Sequence, residues 1–395
     1  MIRRISELTT LLLVVVSLVC VACGNTSSNN QLYKYDCEIV AIDSDVISEG
    51  NLTEVCDSVC VIRLDNCKPY TGERYREMAM VSGDYIFIQY SSNNQSGVDV
   101  YNWQGEYIAT LARRGRGPGE YLYISNIHYD KENQRLILND HTLKKVLSYN
   151  VPHLDCVEEM NMESPLGVFC CHNGLIYGVK TVDGEYGKCN VGVFEKQSFR
   201  AMDLPTTRLS YTSEIPSLVS TETHLTYTYN NGYSLVMEVV QGAQPQELFV
   251  LDYGKKALNM DGIDPESSSY NYQVISAFQE GKHSGLTHNA MWNGLKLQFN
   301  FLKENTYNGQ AYGVYDSQSG QVRLYSKLQI PGISQQIIPC GTYKDFFVSL
   351  IIPEACQVKE SEVSDFIGDK VLEELRAAEN STEICHPLVL LYRLK

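Results

Sequence analysis

The chain has 395 residues, 44% of them apolar and 20% charged, so it can bury a substantial core and is not a disordered polymer. Acidic residues outnumber basic ones 47 to 32, and the net charge of -15 opposes binding to a phosphate backbone, which excludes a nucleic-acid role. With 27 Tyr, 28 Gly and only two Trp, the composition suits many short strands joined by tight turns.

Residues 1–22 read as an export signal. Arg3 and Arg4 form a basic start, and Leu11 to Val21 are apolar apart from Ser17. That run is shorter than the roughly 20 residues a spanning helix needs. Small Ala22 precedes Cys23, and residues 24–30 make a polar tether of Gly, Asn, Thr and Ser. Cys20-Val21-Ala22-Cys23 resembles a bacterial lipobox, although Cys20 stands where Leu is usual. The resemblance implies that Cys23 carries the lipid, that the protein reaches the cell envelope as an outer membrane lipoprotein, and that it meets the membrane through that anchor. The alternative is an ordinary secretory signal followed by a chance cysteine. Residues 23–54 then form a tether and N-terminal extension, and 55–395 the folded domain.

With Cys20 removed and Cys23 assigned to lipid, eleven cysteines are left, an odd number that cannot all pair. Their spacing matches no zinc ribbon. Most are expected to be buried small hydrophobes, with one bridge conceivable among Cys56, Cys60 and Cys67.

A loose repeat of roughly 40 to 60 residues follows. Its clearest copy begins at Val81, with strands expected at Tyr85–Tyr90, Val98–Tyr101 and Glu106–Leu111. Later copies centre on Ile124–Tyr149, Val168–Phe194, His224–Leu251, Ala290–Tyr325 and Gln336–Tyr392. Six copies of about four strands suit an all-β, six-bladed β-propeller. The sixth runs out of chain before its fourth strand, while the β-like run Ser58–Leu64 has no place in the first copy. Closing the ring with that N-terminal strand solves both problems and removes an open edge. From about 360 to 378, Phe366, Ile367, Val371, Leu372 and Leu375 fall at helical spacing, predicting a helical insertion in the last blade. Packing on its own domain is preferred for this helix over docking a partner.

After the outer strand of the first copy comes Arg113-Arg114-Gly115-Arg116-Gly117-Pro118-Gly119-Glu120-Tyr121. Gly117 and Gly119 can supply backbone conformations closed to other residues, and Pro118 fixes one φ between them, so the three make a structural turn. Glu120 can accept from loop amides or pair with Arg113, Arg114 or Arg116. The competing reading is that these Arg side chains bind an anionic ligand at the channel mouth. The segment resembles the G-x-G-P-G-E-[FY] crossing of NHL-like and TolB-like six-bladed propellers. The ending His386–Leu394 is similar to that of exported propeller lipoproteins from anaerobic Gram-negative bacteria. The resemblance specifies fold and says little of function.

No His-Glu-x-x-His, Gly-x-Ser-x-Gly elbow or Walker loop occurs, and no catalytic residue or metal ligand set is assigned. Nothing names a cofactor. His283 and His288, and the adjacent Cys170-Cys171-His172, lack recognised metal spacing. Tyr270, Tyr272 and Tyr307 could stack on a sugar, though covering a sheet is the simpler use. The leading expectation is a membrane-anchored lipoprotein that binds a glycan, peptide or protein partner. The alternative is a propeller-type hydrolase or lyase acting on a glycan or peptide.

Overall fold

The computed structural model describes residues 34–64, 78–82, 85–91, 96–163, 166–181, 188–195, 198–205, 207–208, 218–260, 263–264, 267, 269, 272–274, 276, 280, 283–303, 310–353, 356–359, 367–379 and 387–395. The export signal, Cys23, the polar tether, Cys67, Tyr270, Tyr307 and Phe366 lie outside the described residues.

Three strands and one helical turn come first: β1 (Glu38–Ala41), β2 (Ser48–Asn51), α1 (Leu52–Val55) and β3 (Cys56–Ile62). Blade 1 holds β4 (Met78–Ser82), β5 (Tyr85–Ser91), β6 (Ser96–Asn102) and β7 (Tyr107–Leu111), and blade 2 holds β8 (Asn126–Asp130), β9 (Arg135–Asp140), β10 (Lys145–Asn150) and β11 (Cys156–Asn161). Blade 3 holds β12 (Leu166–His172), β13 (Leu175–Thr181), β14 (Lys188–Glu195) and β15 (Ser198–Ala201), with β16 (Thr207–Arg208) also on β14. Blade 4 holds β17 (Leu218–Ser220), β18 (Leu225–Asn230), β19 (Ser234–Glu238) and β20 (Gln246–Asp252). Blade 5 holds β21 (Gly285–Trp292), β22 (Lys296–Leu302), β23 (Gln310–Asp316) and β24 (Gln321–Gln329). Blade 6 has β25 (Pro339–Tyr343), β26 (Phe346–Ile351) and β27 (Leu388–Leu394), and takes β3 as its outer strand. The fold is the expected all-β six-bladed propeller.

Each blade stands between two others, so its middle strands are covered on both faces. Thus β6 and β9 are buried almost throughout, whereas the outer strands β7, β11 and β15 are mostly exposed or half-buried. Six apolar clusters fill the six wedges between blades. Phe87, Val98 and Val100 of blade 1, for example, meet Leu136, Leu138 and Tyr149 of blade 2. Val348 and Val389 of blade 6 meet Ile86 and Ile88 of blade 1 across the closing wedge.

The ring closes where β3 pairs antiparallel with β27, Val389 opposite Ile62 and Leu391 opposite Cys60. The N-terminal segment does more than close it. β1 lies parallel along β20 and β2 parallel along β24, so residues 38–62 strap the outer edges of blades 4, 5 and 6 in succession. Asn51 caps α1 by accepting from the Thr53 amide at 3.0 Å, and at the other end Lys395 donates its amide to Val55 O and its ammonium to Glu54 O, both at 2.9 Å. The second helix, α2 (Asp369–Glu379), sits on the wedge between blades 5 and 6, where Ile367, Val371 and Leu375 are buried. Its apolar stripe packs on its own domain. Cys56 and Cys60 are free thiols, and Cys56, Cys170, Cys171 and Cys356 are buried.

Burial of Val40 and Ile42 gives the first part of the strap a worth of about 3–6 kcal/mol as an upper figure. Removing residues up to 51 should therefore lower the melting midpoint by several degrees while leaving one cooperative transition. Removing residues up to 62 also takes the closing strand, and the product should be insoluble or melt without cooperativity. A soluble, cooperatively melting chain after the longer truncation would sink the closure argument.

Candidate functional site at the channel mouth

The first strand of every blade lines the axis, and its inner side is a sheet edge with carbonyls that need partners. Side chains of the neighbouring blade supply them. Gln89 Nε2 donates to Ile124 O at 2.8 Å, Asn126 Nδ2 to Phe169 O at 3.1 Å, and Ser220 Oγ to Cys171 O at 3.0 Å. Thr226 and Thr221 hydroxyls donate to Ala290 O and Trp292 O, and Asn289 Nδ2 to Pro339 O. These polar residues therefore bind blade to blade around the axis.

At the end where first strands turn into second strands, polar side chains from several blades converge. Glu222, in the β17–β18 turn, accepts from Lys131 Nζ at 2.5 Å and from the Lys344 amide at 2.8 Å. Its own amide donates to Thr342 Oγ1 at 3.3 Å. One carboxylate of blade 4 thus ties blades 2 and 6 across the axis. Burial raises the Glu222 carboxyl, but the Lys131 ammonium and the Lys344 amide outweigh it and hold the group below the usual carboxylate range.

Two histidines flank this clasp. His224 Nδ1 lies 2.6 Å from Glu238 Oε1, both partly exposed, so the carboxylate fixes the orientation of the ring. Nε2 faces Gly294, where φ is +91° and where a Cβ would come within 3.2 Å of it. His172 Nδ1 lies 3.2 Å from Ser220 Oγ. Burial pushes His172 down, His224 adds to the effect and Glu238 opposes it. Ser220 Oγ also lies 3.0 Å from Cys171 O and 3.3 Å from Thr221 O, so main-chain carbonyls compete with the imidazole for its one proton. Among the described residues no group of three or more His, Cys, Asp or Glu could hold a metal ion. Cys170 and Cys171 fall in different wedges, His283 Nδ1 binds Ala257 O at 3.1 Å, and His288 Nδ1 binds Leu286 O at 3.1 Å.

The Arg-rich crossing lies elsewhere, on the outer rim between blades 1 and 2. Glu120 Oε2 accepts from the Gly117 amide at 2.7 Å, and a Cβ at Gly115 would collide with the same carboxylate. Gly119 has φ +66°; its amide donates to Glu159 at 2.8 Å and its carbonyl accepts from the Tyr149 hydroxyl at 3.0 Å. Arg113 reaches Asp155 in the outer hairpin of blade 2 at 3.5 Å, and Arg113, Arg114, Arg116 and Pro118 are exposed. Glu120 holds the Gly117 amide, and Arg113 faces the rim.

A narrow crevice opens between blades 4 and 5, lined by Asn230, Tyr233, Tyr253, Met260, Ser284 and Leu286 among others. Its hydroxyls already have partners, Tyr253 with Thr287 at 2.5 Å and Ser284 with Ser44 at 3.0 Å. Tyr272 stands 74% exposed and covers no sheet. Sequence reading passed over Glu222, because no local pattern announces partners 91 and 122 residues apart, and over the pair of His224 and Glu238, which meet only through the register of the β18–β19 hairpin.

Two outcomes follow. Gly119→Val should cost about 2–4 kcal/mol, combining the left-handed φ with a Cβ only 2.8 Å from that of Cys156, and lower the melting midpoint accordingly; an unchanged midpoint would refute this. Because the folded Glu222 carboxyl titrates below an unfolded one, its contribution is full above about pH 4.3 and fades as pH falls through its lower folded value. The gap in melting midpoint between the wild type and Glu222→Gln should be a few degrees at most at pH 7, since Lys131 is well exposed, and should narrow steadily as the pH falls below about 4.3. A gap constant from pH 7 to pH 3 would count against the clasp.

Among solved structures, the chain is similar to a Bacteroides fragilis NCTC 9343 protein inferred to be exported. The TM-score is 0.65 at 15% identity, covering 90% of this chain and 99% of that one, which is a likeness of fold. It also overlays a member of the DUF4221 family from Bacteroides vulgatus ATCC 8482 with a TM-score of 0.44 and 6% identity, over 86% of this chain and 97% of that one. No curated protein matches. Residues 27–332 match the family DUF5128, described as a 6-bladed β-propeller, and the chain belongs to that family.

Proposed function

We propose that the protein is an exported, lipid-anchored propeller of the cell envelope, most simply the outer membrane, that binds a ligand or protein partner. The observation that carries binding over catalysis is the commitment of the axial polar groups. Glu222 is held by Lys131 and Lys344, and main-chain carbonyls compete for the proton of Ser220. Such groups hold a surface rigid, which favours recognition. The strap supports anchoring: a chain tethered at Cys23 enters the domain through main-chain ladders on three blades, so a pull at the anchor is shared among three sheets. Likeness to a protein inferred to be exported accords with the signal-like N-terminus.

A second reading, a hydrolase or lyase, rests on one observation. His224 is oriented by Glu238 at the mouth, an arrangement suited to general acid–base work.

Lipid anchoring is tested directly. Cys23→Ser should shift the protein from the membrane fraction to the soluble fraction and abolish incorporation of labelled fatty acid. Fatty-acid labelling retained in that variant, or a native N-terminus cleaved elsewhere and unmodified, would refute the anchor.

A further inference from the structure

Outer strands of the blades are sheet edges, and edges without protection recruit other chains. In this molecule most are guarded. β20 and β24 are covered by β1 and β2, β11 carries Glu158 and Glu159, β15 carries Arg200, and β3 carries Asp57. β7 differs. Its sequence Tyr-Ile-Ala-Thr-Leu has no charge, Tyr107 is 38% exposed, and among the described residues no strand lies on its outer side. Immediately after it come the exposed Arg113, Arg114 and Arg116, a basic cluster in a chain of net charge -15.

The protein itself shows how such an edge is filled. β1 adds to β20 in parallel, and Asp45, just past the end of β1, reaches Lys256 in the segment just past the end of β20 at 3.5 Å. On blade 5, Glu49 of the parallel strand β2 pairs with Lys327 of β24 at 3.3 Å. Like blade 4, blade 1 offers an outer strand with cations beyond its C-terminal end, and among the described residues no added strand lies along it.

From this geometry we infer that the outer edge of blade 1 is a docking site for an extended segment of a partner protein. The segment adds parallel to β7 and carries acidic residues at its C-terminal end, beside Arg113, Arg114 and Arg116. Main-chain hydrogen bonds to β7 supply affinity, and the arginines set direction and register. The inference deepens the binding reading above and rests on it for biological sense, but not on the lipid anchor.

The probe is a fluorescein-labelled peptide, Thr-Val-Thr-Val-Thr-Glu-Glu-Glu, titrated by anisotropy into the purified full-length protein. Binding is expected to weaken steeply with salt, and to fall about tenfold in Arg113→Ala/Arg116→Ala, roughly the loss of one or two charge-assisted contacts. Thr110→Lys places a charge on the edge itself and should also abolish binding. The double arginine variant should keep the wild-type melting midpoint, which separates a lost site from a lost fold; Thr110→Lys gives up the hydroxyl's bond to Asp99 and should melt a few degrees lower, still in one cooperative transition. A peptide with Pro for the central Val, or with the three Glu moved to its N-terminus, should bind poorly. Equal binding of the Pro or reversed peptide, indifference to both variants, or no binding of the probe at all would overturn the edge site. Tethered display would survive any of these results, since the Cys23→Ser fractionation tests it separately.

Discussion

A propeller of this kind depends on a chain becoming a ring, and the ladder between β3 and β27 is where that happens. Without it, blade 6 would have three strands, the wedge holding Ile62, Val348 and Ile86 would lose one wall, and two edges would face solvent. Closure also gives the axial hydrogen bonds their meaning. Gln89, Asn126, Ser220, Thr226 and Asn289 each reach the inner carbonyls of a neighbouring blade, and such bonds can be made together only when the blades stand at fixed angles. The first and last parts of the chain therefore set the geometry in which the middle is satisfied.

That constraint explains why some strands were legible in the sequence and others were not. Middle strands such as β9, Arg-Leu-Ile-Leu-Asn-Asp, and β22, Lys-Leu-Gln-Phe-Asn-Phe-Leu, are buried on both faces and read as apolar runs. Outer strands are half wet, and β11 with its two glutamates gives no such run. The inner strand β17 is three residues long, below any periodic signal, and β25 begins at Pro339, after the run Gln336-Ile337-Ile338 that suggested it. β1 and β2 were hidden for a related reason. Glu-Ile-Val-Ala and Ser-Glu-Gly-Asn become strands only because β20 and β24 present ready-made edges.

The site was legible in proportion to how local its physics is. The Gly-Pro-Gly-Glu crossing is a short-range device: Glu120 binds an amide three residues back, and Gly119 adopts a conformation that its own lack of Cβ permits. Those roles follow from the residues alone. The clasp at Glu222 arises from turns of three blades brought together by closure, and a sequence read in one dimension does not place Lys131 beside Glu222, while His224 and Glu238 meet across the β18–β19 hairpin once its register is set. The arginines sit between these cases. Their charge was visible, but that the crossing runs along the rim, with Arg113 at Asp155, follows from the path of the chain between blades 1 and 2.

The two ends of this logic meet at the blade edges. A closed ring has no free edge along its circumference, yet each sheet still ends radially in one outer strand, so six edges require an answer. Charge guards three and the N-terminal strap covers two, at the cost of ordering an extension that has little core of its own. Among the described residues five of six edges are answered and β7 is not, and with three arginines beyond its end it has the arrangement that β1 fills internally on blade 4. Gln89, Asn126, Ser220, Thr226 and Asn289 at the axis bind blade to blade, whereas the main-chain groups along the outer side of β7 have no strand beside them among the described residues. Recognition at this rim would need no rearrangement of the core, because an added strand meets only the outermost layer of blade 1.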